Sequence, residues 1–333
     1  MTKNLSWRNN LIVPFLWVFL LALPPLFHSS SYIFHTLNMI AYFTIAVAGL
    51  NILMGYTGQI SIGHAVFYAV GAYVSAILAR KFALPFWLLI PLGGVAAALM
   101  GFCMGAACLR LKEIYLAMAT IGLAGAGEGV IINWDTMTGG SMGLLGIPYF
   151  SVGSFVLDTP QKQYFLVMPL MLLMLFLARQ LVTSRVGRAF MAIREDPVAA
   201  ACYGIDTTAF KLLAFTVSAF YGGVAGSLFA HSTGILFPDH FGMEVSILLL
   251  MMLVIGGRGS IMGSIVGAAL LTAGFELLRS VKDYQMIVYG MVLVAFILFM
   301  PQGIVGTLLA HRKHLPFCSV KDECALKGEE AKR

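Results

Sequence analysis

Charged residues are scarce in this 333-residue chain: 11% are Asp, Glu, Lys or Arg, against roughly a quarter in an ordinary soluble domain, which excludes that class. The strict apolar–polar alternation of a membrane barrel is also missing, which argues against strands crossing a bilayer. The five cysteines form no CxxC pair. Cys103 and Cys108 lie in an apolar run and Cys318 and Cys324 in a polar tail, so neither a metal site nor a disulfide framework is expected. No GxxxxGK[ST] phosphate loop occurs, which excludes ATP binding of that kind. An intramembrane enzyme would need a clustered catalytic set such as HExxH or GxSxG, and neither is expected here. Acidic residues are nearly missing from the centres of the apolar runs, Glu128 being the central one. That shortage counts against an ion- or proton-coupled carrier working alone.

What the chain has instead is hydrophobicity, at 59% of residues. Apolar stretches of about 20 residues recur along its length, the signature of an all-α, polytopic membrane bundle. Breaks at charged or Pro/Gly-rich points give about ten candidate spans, near 11–27, 33–54, 62–79, 86–109, 114–133, 164–182, 210–231, 241–256, 261–279 and 285–309. The first follows Lys3 and Arg8 like a signal peptide, but no small-x-small cleavage site is evident, and it is read as a retained helix. Stretch 244–255 would rise only about 18 Å as a helix, and "GGRGSIMGSIVG" follows it. A broken or re-entrant hairpin is expected there, and an incomplete span would change the count.

With the N-terminus cytoplasmic, only Arg80, Lys81, Lys162, Arg279 and Lys282 of the 21 Lys and Arg fall outside. The positive-inside rule then puts both termini and the 183–209 insert in the cytoplasm, and the 134–163 loop outside. The net charge of +6 is mostly this asymmetry. No basic folded face is built, so nucleic acid is not an expected partner. Residues 1–310 read as one transmembrane domain, and 311–333 as a loose cytoplasmic tail.

The insert contains "AIREDPVAAACYGID". Asp196 suits an N-cap, Pro197 the first helical position and Gly204 the left-handed residue after the last turn. Val198 to Tyr203 then form a small helix, marginal alone and in need of something to pack on. Two readings stand: a well-turned solvated loop, or a docking knob whose Ala199, Ala200 and Ala201 admit a partner's groove while Arg185, Arg188, Arg194 and Glu195 surround it with charge.

In "GYTGQISIGH", residues 55–64, Tyr56, Thr57, Gln59, Ser61 and His64 are set among Gly55, Gly58 and Gly63. Each glycine weakens a helix by about 1 kcal/mol relative to Ala. One reading is an unwound turn in a translocation path, with a helix starting near Ser61 offering free amides to a carboxylate. The other is a polar surface turn whose glycines serve helix packing. Glu128 fits a path residue or a structural hydrogen bond equally. Thr138, Gly139, Gly140 and Ser141 belong to a Gly-rich outer loop, "TMTGGSMGLLGIP", that is either a flexible connection or a contact for a gate or an external partner. The repeats "GFCMG", "GGVAG" and "GSIMGSIVG" fit close helix packing in a bilayer.

Four stretches in order, "NILMGYTGQISIGHAVFYAVGAY", "NWDTMTGGSMGLLGIP", "SRVGRAFMAIREDPVAAACYGIDTTAFKLLAFTVSAFYGGVAG" and "FGMEVSILLLMMLVIGGRGSIMGSIVGA", resemble the branched-chain amino acid ABC transporter permeases of the LivM type. The resemblance spans residues 51 to about 270. It implies a permease in the bacterial inner membrane that pairs with a second, similar permease subunit, two cytoplasmic ATPase subunits and an extracytoplasmic substrate-binding protein. ATP and Mg would then be bound on the partner subunits, with no cofactor in this chain. It also implies that Arg185, Arg188, Arg194, Glu195, Asp196, Ala199, Ala200 and Gly204 form the ATPase-docking loop. The general importer pattern sets Glu directly before two Ala, whereas Asp196, Pro197 and Val198 intervene here. Met142 stands where the family more often has a polar residue. Urea or short-amide permeases share the architecture and are the nearest alternative.

Overall fold

The computed structural model describes residues 31–82, 84–108, 113–152 and 155–277, with short pieces at 290–291, 294 and 303–307. The expected span 11–27, most of 285–309 and the 311–333 tail lie outside the described residues.

Helix α1, Ser31–Leu50, continues without a break into a π turn, Asn51–Tyr56. Helices α2 (His64–Phe82), α3 (Phe86–Cys108) and α4 (Glu113–Asn133) follow, then the single turn α5 (Asp135–Thr138). After the strand pieces β1 (Leu144–Leu145), β2 (Ser151–Val152) and β3 (Phe155–Val156) comes α6, Pro160–Thr183. Two short helices, α7 (Arg185–Glu195) and α8 (Pro197–Cys202), lead into α9, Thr207–Thr233. Strand β4 (Ile235–Leu236) and a 3₁₀ turn, Pro238–Phe241, precede α10 (Met243–Gly256) and α11 (Ile261–Leu277).

Among the described residues seven helical segments are long and apolar enough to cross a membrane, with α11 a shorter apolar helix. The polytopic all-α reading therefore holds, while the number of about ten is not reached within these residues. The short stretch at 244–255 is completed from its N-terminal side, because the 3₁₀ turn extends the apolar segment to Pro238–Gly256. The segment is broken at Gly242, whose extended backbone separates the 3₁₀ turn from α10, in keeping with the broken span expected from the sequence.

Helix α9 is the axis of the bundle, packed against α1, α2 and α3. Its 27 residues rise about 40 Å. Glycine makes these contacts possible. A methyl group at Gly226 would run into the Tyr68 carbonyl, one at Gly71 into Gly223, and one at Gly101 into the Ala219 side chain. Helices α10 and α11 form a hairpin in the same way, with Gly256 on Gly263 and Gly267 on Met252. The small-residue repeats thus serve backbone approach, the packing that replaces hydrophobic drive inside a lipid phase.

The two ends of α9 carry different structures. Beyond its C-terminus, β4 pairs antiparallel with β1 (Leu144 opposite Leu236). The Ile147 amide donates to Gly234 and His231 Nδ1 donates to the Pro148 carbonyl (2.8 Å). Before its N-terminus lie α7 and α8.

Candidate functional site: a capped knob joined to a buried glycine-rich segment

Helix α8 forms as its caps dictate. Asp196 Oδ1 accepts the amides of Val198 (2.8 Å) and Ala199 (3.1 Å), and Pro197 occupies the first turn. Gly204 closes the helix at φ 79°, with the Ile205 amide returning to the Ala200 carbonyl. Of the three alanines only Ala200 is buried against the bundle; Ala199 and Ala201 are exposed, and beside them Val198 (73% exposed) and Tyr203 (88% exposed) project furthest. The sequence reading assigned the docking face to the alanines and passed over these two.

It also missed α7. Ser184 caps this helix through the amides of Val186 and Gly187, and Phe190 and Ile193 anchor it in the core. The apolar spacing of Val186, Phe190 and Ile193 on a charged background is an amphipathic signal that identifies such a helix. Arg185, Arg188, Arg194 and Glu195 are exposed along α7.

Arg194 turns toward the bundle, where Nη1 donates to the Gly55 carbonyl. Its stem lies along Gly58, at which a methyl would sit 3.3 Å from Cγ. The 183–209 insert and the glycine-rich stretch, read separately from sequence, are thus in contact.

From Gly55 the chain re-enters the bundle. Gly58 turns at φ 79°, and Thr57, Gln59, Ser61 and His64 are all buried. Gln59 Nε2 donates to the Lys211 carbonyl near the start of α9 (3.2 Å). By His64 the chain has reached the level of Gly222, near the middle of α9, where a methyl would lie 3.3 Å from Nε2. Non-helical backbone at that depth is tolerated only where protein or a wet cavity surrounds it. Here protein does: the Ile62 amide donates to Thr120 Oγ1 of α4 (3.0 Å) and the Ala65 amide to Ser246 Oγ of α10 (3.1 Å). Gly63 lies against the Thr120 carbonyl. The expected helix start near Ser61 moves to His64, and two of the amides expected to be free are held by these hydroxyls.

Asn51 completes this end and was not singled out in the sequence. Its Nδ2 donates to the Ser260 carbonyl (2.8 Å) and to Ser264 Oγ (3.0 Å), while Oδ1 accepts the Gly259 amide (2.9 Å). The π turn is thereby tied to the α10–α11 turn.

Glu128 is half-buried in the last third of α4, and not at its centre. A methyl at Gly242, the residue that opens α10, would lie 3.5 Å from both carboxylate oxygens. A carboxylate there faces the positive end of a helix, which lowers its cost within the bilayer. Helices α2 and α4 flank an apolar cavity of about 580 Å³ whose lining includes Val66, Val70, Tyr73, Leu123, Val130 and Trp134.

Thr138, Gly139, Gly140 and Ser141 form a fixed turn. Thr138 Oγ1 donates to the Ile131 and Trp134 carbonyls and accepts the Gly140 amide. Gly139 and Gly140 have positive φ, and Ser141 and Met142 are exposed. Gly139 to Gly143 spell G-x-S-x-G, but they end α5 and form a 3₁₀ turn, without the strand-to-helix elbow that exposes a hydrolase nucleophile. Nearby, Lys162 hydrogen-bonds Asp158 (2.7 Å) and holds its carboxyl below the usual value.

A multi-pass helical bundle with an exposed capped knob at one end and a buried, unwound segment beneath it has the construction of a membrane permease. The chain belongs to the family described as the permease component of branched-chain amino acid transport systems, whose model matches residues 32–297. It is 33% identical to the high-affinity branched-chain amino acid transport system permease protein LivM of Salmonella typhimurium, over 89% of this chain and 75% of that protein. Identity to LivM of Escherichia coli K12 is 34%, over 81% and 68%. LivH of Salmonella typhimurium is 26% identical, over 82% and 94%. The likeness is thus to the LivM type. No solved structure matches.

Proposed function

We propose that this chain is the permease subunit of an ATP-binding-cassette importer, forming an inner-membrane path for branched-chain amino acids with both termini in the cytoplasm. The observation that carries the reading is α8: a helix of under two turns, capped at both ends, presenting Val198 and Tyr203 away from the bundle. Such a knob needs a groove on another polypeptide. Its occupant is an ATPase subunit, two of which drive a pair of permeases, with a binding protein delivering solute at the β1–β4 end. ATP and Mg stay on the ATPases. The segment 55–64 and Glu128 line or gate the path. The apolar cavity between α2 and α4 would suit an aliphatic side chain better than urea.

The test is reconstitution with its ATPases and binding protein in vesicles. ATP-dependent uptake of leucine, isoleucine or valine is expected, and urea uptake is not. Gly204→Val should abolish uptake while leaving membrane insertion intact. Solute accumulation by the chain alone, without a nucleotide-hydrolysing partner, would overturn the reading.

A further inference from the structure

We propose that Arg194 is the positioning residue through which movement of α7–α8 reaches the buried segment 55–64, and that Asn51 completes the same junction. This rests on the reading of α8 as the ATPase-docking helix.

Three segments meet at one point: the end of α7, the π turn closing α1 and the α10–α11 turn. Arg194 lies between Ile193, which is buried in the core, and Asp196, which caps α8. Its backbone must therefore follow the docking helix. Its Nη1 donates to the Gly55 carbonyl, and a methyl at Gly259 would lie 3.1 Å from the same nitrogen. From the other side Asn51 grips the Gly259 amide and the Ser260 carbonyl. A methyl at Gly55 would run into Asn51 Oδ1 and come within 2.6 Å of the Gly259 amide nitrogen.

The chemistry favours transmission at this carbonyl. Carbonyls in the last turn of a helix lack intrahelical donors and carry the negative end of the dipole, so a guanidinium binds there with charge assistance. The turn that receives the pull is a π turn, a rare conformation that often marks functional positions. The next residues are the re-entrant segment itself, hinged at Gly58. A displacement of α8 thus acts on Gly55 and, through it, on Thr57 to His64.

A passive cap and a transmitting link differ in the ratio of solute carried to ATP hydrolysed. In the reconstituted assembly, Arg194→Ala, which removes a side chain bonded to Gly55 and leaves the projecting Val198 and Tyr203 in place, should copurify with the ATPases and still hydrolyse ATP. Solute moved per ATP should fall by about tenfold or more, as expected on losing a charge-assisted hydrogen bond. Arg194→Lys, which keeps the charge, should restore part of the ratio. Asn51→Ala should lower it too, and the double variant should be no worse than the more severe single one. An unchanged ratio in Arg194→Ala, or a proportional fall in uptake and hydrolysis, would overturn the proposal. Should Arg194→Ala fail to insert, Arg194→Lys and Asn51→Ala are read by the same ratio and decide the matter. ATPases that do not associate with the unaltered chain would instead refute the docking reading.

Discussion

Ser246 of α10 accepts the backbone amide of Ala65 at 3.1 Å, so that one membrane helix caps the buried start of another. Both groups are sealed from water. Ser246→Ala leaves that amide without its acceptor, at a cost of about 1–3 kcal/mol. Thermal unfolding in detergent should show the loss, and Ser246→Thr, which keeps the hydroxyl, should recover most of it. Equal stability of the alanine variant would mean that the amide is satisfied elsewhere.

Gly226 is the tightest test of the α2–α9 contact. Its substitution by Ala places a methyl against the Tyr68 carbonyl, a backbone atom that cannot swing aside. Overpacking of this kind costs about 1–3 kcal/mol. Gly122, around which nothing lies within 4 Å, serves as the control: Gly122→Ala should leave the midpoint of unfolding unchanged or slightly higher.

Asp196→Ala removes both side-chain bonds to the start of α8. A lost N-cap costs about 1 kcal/mol, comparable to the stability of so short a helix. Amide hydrogen exchange should accelerate over residues 198–203 and stay unchanged in α9. Uniform protection across both would show that packing alone holds α8 in place.

Gly58→Leu forces a branched side chain into a left-handed backbone position and against the Arg194 stem. The conformational cost is about 1–2 kcal/mol. Uptake in the full assembly should fall sharply while insertion persists. Unaltered uptake would remove segment 55–64 from the path.

Sidedness can be read with thiol reagents that do not cross membranes. Cys202 is a free, exposed thiol on α8. With the other four native cysteines, exposed Cys103 among them, replaced by Ser, a cysteine placed at Ser141, exposed on the opposite end of the bundle, should be labelled only from the other face of the vesicle. Labelling of both from one face would overturn the topology.

The membrane helices were legible because a bilayer demands long apolar runs. The expected spans 62–79, 114–133 and 210–231 differ from α2, α4 and α9 only at their ends. Those ends are set by caps such as Asp206, which accepts the Thr208 and Ala209 amides and starts α9 earlier than the apolar run does. The α8 cap set was equally readable, since Asp196, Pro197 and Gly204 act within a few residues of one another. Asn51 was not. Its partners Gly259, Ser260 and Ser264 lie some two hundred positions away, and nothing local separates it from any polar residue at a helix end. The inward turn of Ala200 was hidden for a related reason: three alanines look alike until the helix has a bundle to face.

The glycine contacts along α9 have a mechanical consequence. Where main chain touches main chain, no rotamer can yield to absorb strain, so α1, α2, α3 and α9 must travel as a single stiff block. Helix α4 meets few neighbours, and Gly122, Gly125 and Gly129 on it face open space. Among the described residues, relative motion against that block therefore costs least at α4.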